Sequence, residues 1–551
     1  MLTLGIDLST QGVKAVAWDV EDEKVVFSAS VNYGKDLPQY GSPDGFLPNA
    51  DVLVRHADPR MWVEGLELVL KRLQESGCPM GDVGAIGGDA QQHATVFLSE
   101  EGLKGLKSLK GLEGLESWFS RKASPIWMDS STGAECAALD AKFGARLQTD
   151  TGSPAIERFA GPQIMKFAKE EPEAYAKTKR IHLLSSFLAS YLVGEDMPID
   201  TGDGAGMNLL NLKTGEWDAE ICAFVAPGLV EKLPNVVGRT GGTPVPLVEK
   251  MSCPFGKQPH SRVERASCPF GVSKPLSARF AKFGLMPGIP VVPFTGDNPA
   301  SLVGCFAERP GTAVISLGTS DVFFAAMDSF HTDPDGYGHV FGNPMGGFMS
   351  LSCFKNGSLA RDRVRREIGV DWKFFDETAW EGLNGRDARS TRETNGRDAR
   401  STRETNGQDA RSTRTANGQD VTRGGEVCGT GVSPVRAGAP LRAFPYFEAE
   451  ITPKHAATGI EANFDWNAAD AATKVRAIVE GQIANMYERT RWIGDFDEIK
   501  VTGGASRSKG IRETIARIFK AKVTTLDVTD SAAVGGARLA ARAASRVLSD
   551  E

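Results

Sequence analysis

A carboxylate and a group of hydroxyl donors follow the first apolar, β-forming run of the chain. In GIDLSTQ, Asp7 ends the run and the turn Ser9-Thr10-Gln11 comes shortly after it. A carboxylate is a hard oxygen ligand of the kind that Mg²⁺ prefers, and the hydroxyl and backbone N–H groups of such a turn can bind phosphate. We therefore expect Asp7 at a metal and phosphate site. The alternative is a turn aspartate that hydrogen-bonds its own backbone.

A second carboxylate, Asp297, follows a glycine turn in the segment FTGDNPAS at 294–301. This position predicts the N-terminus of a helix, where the helix dipole lowers the pKa of a carboxyl group and keeps it ionised. An ionised carboxylate can accept the proton of an attacking hydroxyl, so Asp297 is the candidate general base. The alternative is that Asp297 or Asn298 only caps the helix.

Two further segments place ligand-binding groups after predicted strands. The apolar run 83–88 leads into Asp89-Ala-Gln-Gln-His93, and the carboxyl end of a strand is where α/β proteins usually bind ligands. Gly503 and Gly504 follow another apolar run, and adjacent glycines would let a flat nucleoside approach the backbone closely. A purely structural Gly-Gly turn is the alternative there.

The strand-turn-strand pattern of the N-terminus recurs near the middle of the chain. Apolar runs at 2–7 and 13–20 flank the first turn, and runs at 312–317 and 321–327 flank Gly318-Thr319-Ser320. Unless the two hairpins are similar by chance, they predict two similar domains that face one ligand. The sequence contains no GxxxxGK[ST], which excludes a P-loop as the phosphate-binding element.

The other elements have to position these groups. Asp58 as N-cap, Pro59, a stripe of apolar residues and the stop at Gly77 predict a helix that packs on the core. The repeat NGRDARSTRET at 384–423 has almost no apolar side chains, so we expect a disordered insert over 384–436. The segments at 102–116 and 252–271 are also repetitive and are predicted to be insertions.

The composition limits the classes of partner. A formal net charge of -7 gives no field that would attract nucleic acid or an anionic membrane. The N-terminus shows no basic start before an apolar stretch, and no apolar run approaches the length of a membrane span, so we expect a cytoplasmic protein. The eight cysteines form no CxxC pair and indicate neither a disulfide framework nor a zinc site.

Five motifs in this order resemble those of the FGGY carbohydrate kinases: GIDLSTQ (5–11), AQQH (90–93), FTGDNPAS (294–301), SLGTS (316–320) and TGGAS (502–506). Other segments are similar to the xylulose kinases of the animal type within that family: DLPQYG (36–41), WMDSST (127–132), ERFAGPQI (157–164), GDGAGMNLLNL (202–212) and CFKNGSLAR (353–361).

The resemblance implies an α/β, two-domain actin-like (ribonuclease-H-like) ATPase fold with the active site in the interdomain cleft. Residues 1–285 would form the sugar-binding domain and 286–551 the nucleotide-binding domain. The implied reaction is transfer of the γ-phosphoryl group of ATP, with Mg²⁺, to the C5 hydroxyl of D-xylulose. Another ketose such as ribulose, or a polyol, would fit the same motifs.

The resemblance also assigns residues to the two substrates. The sugar would be bound by Gln92, His93, Arg158, Asp297 and Asn298, with Asp297 as the base. ATP and its metal would be bound by Asp7, Ser9, Thr10, Gln11, Gly318, Thr319, Trp372, Gly503, Gly504 and Ser508. Ser508 stands where relatives carry an asparagine. A buried core histidine and a surface ion pair are the alternatives for His93 and Arg158.

Two other classes of protein share part of this pattern. An actin-like or chaperone ATPase would have the phosphate-binding hairpins but would not need the cluster AQQH with TGDN. A non-catalytic sugar-binding regulator would keep the sugar pocket but should lose an acid, whereas Asp7 and Asp297 are both present. The sequence is compatible with a homodimer but does not require one.

Overall fold

The computed structural model describes residues 1–108, 112–238, 273–379, 440–526 and 530–550, with the side chains of 546–550 left out. The repeat insert predicted at 384–436 and the segment at 252–271 lie outside the described residues, as does part of 102–116.

The first of two large sheets contains the N-terminal hairpin. Its strands are β1 (Leu2–Leu8), β2 (Gly12–Asp19), β3 (Lys24–Asn32), β4 (Val83–Ala90), β5 (Lys274–Pro275), β6 (Pro290–Val291) and β7 (Thr295–Gly296). They are arranged in the order β5-β6-β4-β1-β2-β3, and β7 also pairs with β4. Strand β2 runs antiparallel to its neighbours β1 and β3, whereas β1, β6 and β7 run parallel to β4.

The second sheet repeats this design. Its strands are β8 (Thr312–Leu317), β9 (Asp321–Met327), β10 (His339–Gly342), β11 (Phe348–Phe354), β12 (Glu498–Thr502) and β13 (Lys522–Thr525), in the order β10-β11-β9-β8-β12-β13. Strands β8, β9 and β11 are antiparallel, and β8, β12 and β13 are parallel.

Corresponding strands of the two sheets therefore have the same order and the same directions. Three antiparallel strands are followed by two parallel ones, β4 and β6 in the first sheet and β12 and β13 in the second. The duplication predicted from the two hairpins is confirmed, and so is the two-domain ribonuclease-H-like fold. The predicted division at residue 285 falls before β6 and β7, which pair with the first sheet.

The helices that bear on the site are α1 (Pro59–Glu75), α2 (Leu184–Val193), α3 (Asp297–Gly304), α4 (Ser358–Glu367), α5 (Ala471–Thr490), α6 (Lys509–Phe519) and α7 (Ser531–Asp550). Five further helices contribute side chains to another buried apolar cluster: Gly133–Phe143, Ala145–Thr151, Ala160–Glu170, Pro172–Lys177 and Ala219–Val225. Helix α1 begins after Asp58, whose side chain accepts from the backbone N–H of Arg60, as its sequence predicts.

The C-terminal helix α7 lies against the first sheet although it belongs to the last part of the chain. A methyl group on Gly5 of β1 would come within 1.8 Å of the carbonyl oxygen of Ala533, so only glycine allows this approach. Gly536 faces Gly88 of β4 in the same way. Helix α7 also packs on α3, and it thereby ties the start of α3 to the first sheet.

Apolar side chains form a separate core around each sheet. One buried cluster joins β1 and β4 to α1 and α2, and another joins β8, β9 and β12 to α5 and α6. Among the helices of the described residues, none is both long and apolar enough to cross a lipid bilayer.

Candidate active site

Asp7 lies at the end of β1 and is held by the turn that follows. The hydroxyl of Ser9 donates to both carboxyl oxygens of Asp7, at 3.0 and 2.9 Å. Burial raises the pKa of Asp7, and the Ser9 hydrogen bonds oppose that rise. A side-chain hydroxyl group thus donates to the carboxylate of Asp7. The carboxylate oxygens face the cleft beside a second acid, Asp297, whose pKa the charge of Asp7 raises.

Thr10 connects the same turn to its surroundings. Its hydroxyl donates to Gln91 Oε1 at 3.3 Å and accepts the indole N–H of Trp127 at 2.8 Å. Gln11 is exposed and lines, with Asp7 and Ser9, a cavity of about 470 Å³ that reaches the start of α7. Three of the four predicted residues of this segment therefore line one opening, and Thr10 instead bonds to Gln91 and Trp127.

Asp297 is the first residue of α3, directly after β7. Its Oδ1 accepts from the backbone N–H of Asn298 at 2.8 Å and from the side-chain amide of Asn298 at 3.0 Å. Gly296, not Asp297, occupies the N-cap position, so capping does not account for the carboxylate.

The pKa expected for Asp297 is wrong in direction. The helix N-terminus was expected to lower it, but burial and then the negative charge of Asp7 raise the pKa of Asp297 to about 7. The desolvation of the charged form in the cleft outweighs the hydrogen bonds from Asn298. A carboxyl group with a pKa near 7 suits a general base that works at neutral pH.

Gln92, at the end of the first sheet, is linked to this acid. The side-chain amide of Asn298 donates to Gln92 Oε1 at 2.9 Å, in addition to its contact with Asp297. Gln92 is 4% exposed, and its Nε2 has no hydrogen-bond partner in the described part of the chain. A buried amide N–H without a partner is a donor that a ligand hydroxyl could satisfy.

His93 is held in an energetically unfavourable backbone conformation. Its φ of 69° lies in the left-handed region, which is uncommon for a residue with a Cβ. Its Nδ1 lies 2.9 Å from the carbonyl oxygen of Gly206, and the ring stacks on Phe159 with centroids 4.3 Å apart. Since a carbonyl oxygen can only accept, Nδ1 carries the hydrogen and Nε2 is left as an acceptor.

Burial and the neighbouring Arg158 keep this histidine uncharged. Burial, and then the positive charge of Arg158, hold the pKa of His93 well below its usual range. Burial, and then Arg158, likewise lower the pKa of His339, to about 3. The guanidinium lies 5.9 Å from the ring of Phe159, so the structure places it among these rings and not in a surface ion pair.

The predicted phosphate and nucleoside turns of the second sheet come together. Gly318 and Thr319 lie in the β8–β9 turn, and Gly503 follows β12, which pairs with β8 up to Ser316 and Thr502. At φ 89° Gly503 lies so close to β8 that a methyl group would be 2.6 Å from the carbonyl oxygen of Leu317. Gly503 and Gly504 are exposed at this edge.

Trp372 and Ser508 occupy other positions around the second sheet. Trp372 is 46% exposed, and Arg365 lies over its ring at 5.1 Å. The Ser508 hydroxyl oxygen accepts from the backbone N–H of Ile511 at 3.4 Å and caps α6. Contacts of these two residues with a nucleotide stay predictions.

Three polar residues of the cleft were not assigned a role from the sequence. Burial and then Asp7 raise the pKa of Asp89 well above its usual range, and burial does the same for Asp203. Trp127 is 45% exposed beside Thr10. All three lie in motifs that the sequence displays, DAQQH, GDGAGM and WMDSST, but only the spatial neighbours reveal which side chains face the cleft.

The metal expected at Asp7 would need ligands beyond the protein. Among the described residues, no group of three or more His, Cys, Asp or Glu side chains could hold a metal ion. Mg²⁺ is usually bound by one or two carboxylates together with substrate phosphates and water. Asp7, with its oxygens turned to the cleft, fits that pattern.

Both ends of the chain match models of a known protein family. Residues 2–242 match the N-terminal domain of the FGGY family of carbohydrate kinases, and residues 313–544 match its C-terminal domain. A xylulose kinase of Rattus norvegicus is 34% identical over 97% of this chain and 87% of its own length. The xylulose kinase 2 of Arabidopsis thaliana is 32% identical over 98% of this chain and 87% of its own.

Solved structures show the same fold. The xylulose kinase of Bifidobacterium adolescentis superposes with a TM-score of 0.69 at 21% identity, over 100% of this chain and 93% of that one. The gluconate kinase of Lactobacillus acidophilus gives a TM-score of 0.69 at 17% identity, over 99% and 90% of the two chains. From the matched domains and the full-length relatives, the chain belongs to the FGGY family of carbohydrate kinases.

Proposed function

We propose that the protein transfers the γ-phosphoryl group of ATP to the C5 hydroxyl of D-xylulose and forms D-xylulose 5-phosphate. The observation that carries the proposal is the chain of hydrogen bonds from Gln92 through Asn298 to Asp297, beside the acid of the phosphate-binding turn. The full-length relatives named xylulose kinase support the choice of sugar.

The sugar would be held by groups of both hydrogen-bonding types. Gln92 offers an unpaired amide N–H, and His93 offers the acceptor Nε2 of a neutral ring. Arg158 adds a guanidinium with several N–H donors. Hydroxyl groups both donate and accept, so a polyhydroxylated substrate can satisfy all three residues at once.

Asp297 would act on the hydroxyl that attacks. As the C5 oxygen approaches the γ-phosphorus, Asp297 accepts its proton, the new O–P bond forms and the bond from phosphorus to the bridging oxygen of ADP breaks. The amide of Asn298 holds Oδ1 of Asp297 during this step. The reaction ends with the sugar phosphate, ADP and a protonated Asp297, which then loses its proton to water.

ATP would lie between the two hairpins. Mg²⁺ held at Asp7, when bound, supplies positive charge that offsets the negative charge of the transferring phosphoryl group. The turn Ser9-Thr10-Gln11 would face the phosphates from one sheet, and Gly318 with Thr319 from the other. The exposed glycines Gly503 and Gly504 leave room for the adenosine.

A coupled assay of ADP release tests the proposal. Purified protein with Mg-ATP would be offered D-xylulose, L-xylulose, D-ribulose, L-ribulose, glycerol and gluconate, each against the variant Asp297→Asn. We expect a strong preference for D-xylulose and hardly any turnover in the variant. Preference for another member would replace the proposed sugar, and no activity with any sugar would contradict the proposed reaction.

The remaining predictions concern the whole molecule. We propose that a sugar-binding domain at residues 1–285 and a nucleotide-binding domain at 286–551 face each other across the cleft, with β6 and β7 of the second domain added to the sheet of the first. A cytoplasmic location and a homodimer stay predictions of the sequence. Light scattering during gel filtration would test the homodimer.

A further inference from the structure

A second carboxylate stands beside Asp7 at the end of the first sheet. Asp89 is the last residue but one of β4, and the parallel register of β1 and β4 pairs Asp7 with Asp89. Side chains in register on neighbouring strands point to the same face, with backbones about 4.8 Å apart. The two carboxyl groups are consequently near neighbours at the phosphate end of the cleft.

Asp89 is fully buried, with 0% of its surface exposed. Its hydrogen-bond partner in the described part of the chain is the carboxyl group of Asp7, and no N–H group and no serine, threonine or tyrosine hydroxyl donates to its two oxygens. Other buried acids of this protein differ: Asp200 accepts from Thr295 and two backbone N–H groups, and Asp321 pairs with Arg361. Two buried carboxyl groups that have mainly each other as partners are costly, and a bound ion is one arrangement that offsets such a cost.

The charges around Asp89 specify the sign of that ligand. The ionisable groups that act on it most strongly are all acids, namely Asp7, Asp297 and Asp203. The nearest cation to act on Asp7 is Lys14, and Lys14 already pairs with Asp530. Several carboxylates gathered in one pocket repel each other, so a cation that binds between them gains from all of them.

On these grounds, and resting on the proposed function, we propose that Asp89 is a second carboxylate ligand, beside Asp7, for the divalent cation that accompanies ATP. Two carboxylates with phosphate oxygens and water are the usual environment of Mg²⁺ in proteins. Asp89 binds the ion directly or through one of its waters. Asp297, on the sugar side of the same group, then stays free to serve as the base.

The variant Asp89→Asn separates this role from a structural one. The substitution keeps the shape and replaces one carboxyl oxygen, a ligand that the ion would bind, by an amide N–H group. Binding of a non-hydrolysable ATP analogue would be measured by calorimetry, without sugar, once with Mg²⁺ and once with EDTA. We expect the variant to bind the analogue about as tightly as the wild type in EDTA, where no ion is present, and at least tenfold more weakly than the wild type in Mg²⁺.

A matched control is Asp203→Asn, which also removes a buried carboxylate of the same cluster. Asp203 accepts a hydrogen bond from Ser185 and faces Asp297 on the sugar side, so we expect its loss to leave the strengthening by Mg²⁺ nearly unchanged. In the absence of Mg²⁺ and nucleotide, Asp89→Asn should change the melting temperature little, whereas loss of a structural residue would lower it.

The outcomes distinguish the two proposals. Equal strengthening by Mg²⁺ in the wild type and in Asp89→Asn would overturn the assignment of Asp89 and leave the kinase reaction in place. Nucleotide binding that is independent of Mg²⁺ in the wild type would overturn both. Direct titration with Mn²⁺, followed by its electron paramagnetic resonance signal, gives a second readout, and an unchanged affinity for Mn²⁺ in the variant would likewise contradict the proposal.

Discussion

The side-chain amide of Asn298 donates to Oε1 of Gln92 at 2.9 Å, although 206 residues separate them in the chain. The same amide nitrogen lies 3.0 Å from Oδ1 of Asp297. One asparagine therefore connects the end of β4, where the proposed sugar-binding residues lie, to the carboxylate at the start of α3. Under the proposed function, this side chain couples the position of the sugar to that of the base.

Loss of that connection should weaken catalysis with the sugar more than binding of ATP. In Asn298→Ala the Oε1 atom of Gln92 and the carboxylate of Asp297 each lose a donor, and one lost hydrogen bond typically costs about 1 kcal/mol or more. We expect kcat/KM for the sugar to fall by roughly tenfold or more and the Kd of ATP to change little. Steady-state kinetics measure kcat/KM for the sugar, and calorimetry measures the Kd of ATP.

A double-mutant cycle with Gln92→Ala tests the connection itself. The two substitutions should have non-additive effects, and additive losses would contradict the coupling.

Removal of the base should abolish turnover without removing the nucleotide site. Asp297→Asn keeps the size of the side chain but cannot accept the proton of the attacking hydroxyl. We expect kcat to fall by about 10² to 10⁴. The affinity for ATP, measured separately by calorimetry, should rise slightly or stay unchanged because a negative charge has gone. Turnover close to that of the wild type would remove Asp297 from the role of base.

The raised pKa of Asp297 predicts a pH profile of definite sign. Only the ionised carboxylate accepts a proton, and its pKa is about 7. Thus kcat/KM for the sugar should be low in acid, rise by tenfold per pH unit below about 7 and level off above it. The residual activity of Asp297→Asn should lack this rise. An inflection near pH 4 in the wild type would show that the carboxyl behaves like an exposed one.

Much of the fold could be predicted because the local signals agree with the final structure. Runs of β-forming residues at 312–317 and 321–327 coincide with β8 and β9, and Asp58 with Pro59 marks the start of α1. The repetition of a strand-turn-strand pattern was enough to predict two similar sheets. Strand β7 could not be predicted, because its two residues pair with β4 only through contacts distant in sequence.

The candidate site could be predicted in its motifs but not in its electrostatics. Asp297 was expected to have a lowered pKa because the helix N-terminus is visible in the sequence, whereas its burial beside Asp7 is not. Asp89 was visible in the motif DAQQH, but its pairing with Asp7 depends on the register of β1 and β4. Properties that arise from burial and from neighbours on other strands require the three-dimensional arrangement.

Gly206 lies so close to His93 that a single methyl group added at position 206 should weaken sugar binding. A Cβ at position 206 would lie 2.8 Å from two atoms of the His93 ring, which is closer than such atoms approach. In Gly206→Ala the ring must move, and because Phe159 confines it we expect KM for the sugar to rise at least several-fold. The KM for ATP should hardly change.

The neighbouring variant Gly204→Ala is the matched control. Its added methyl group would meet the flexible side chain of Leu210 at 3.3 Å, so a small adjustment can accommodate it. We expect nearly normal kinetics for this variant. If both variants raised KM for the sugar equally, the effect would belong to the backbone of the segment and not to His93.

A buried ion pair should stabilise the second phosphate-binding hairpin. Arg361 of α4 is 1% exposed and donates to both oxygens of Asp321, at 2.7 and 2.8 Å, directly after the turn that contains Gly318. Arg361→Met would leave Asp321 buried without its cation, and removal of one partner of such a pair typically costs about 3–5 kcal/mol. We expect a clear drop of the melting temperature. Because the turn loosens, the affinity for ATP should fall more than the affinity for the sugar. Addition of Asp321→Asn should restore part of the stability, since it removes the unpaired charge.

Lys71→Met, which breaks the exposed pair of Lys71 with Glu75, should change the melting temperature little. Equal effects of Arg361→Met and Lys71→Met would show that the buried pair does not hold the hairpin in place.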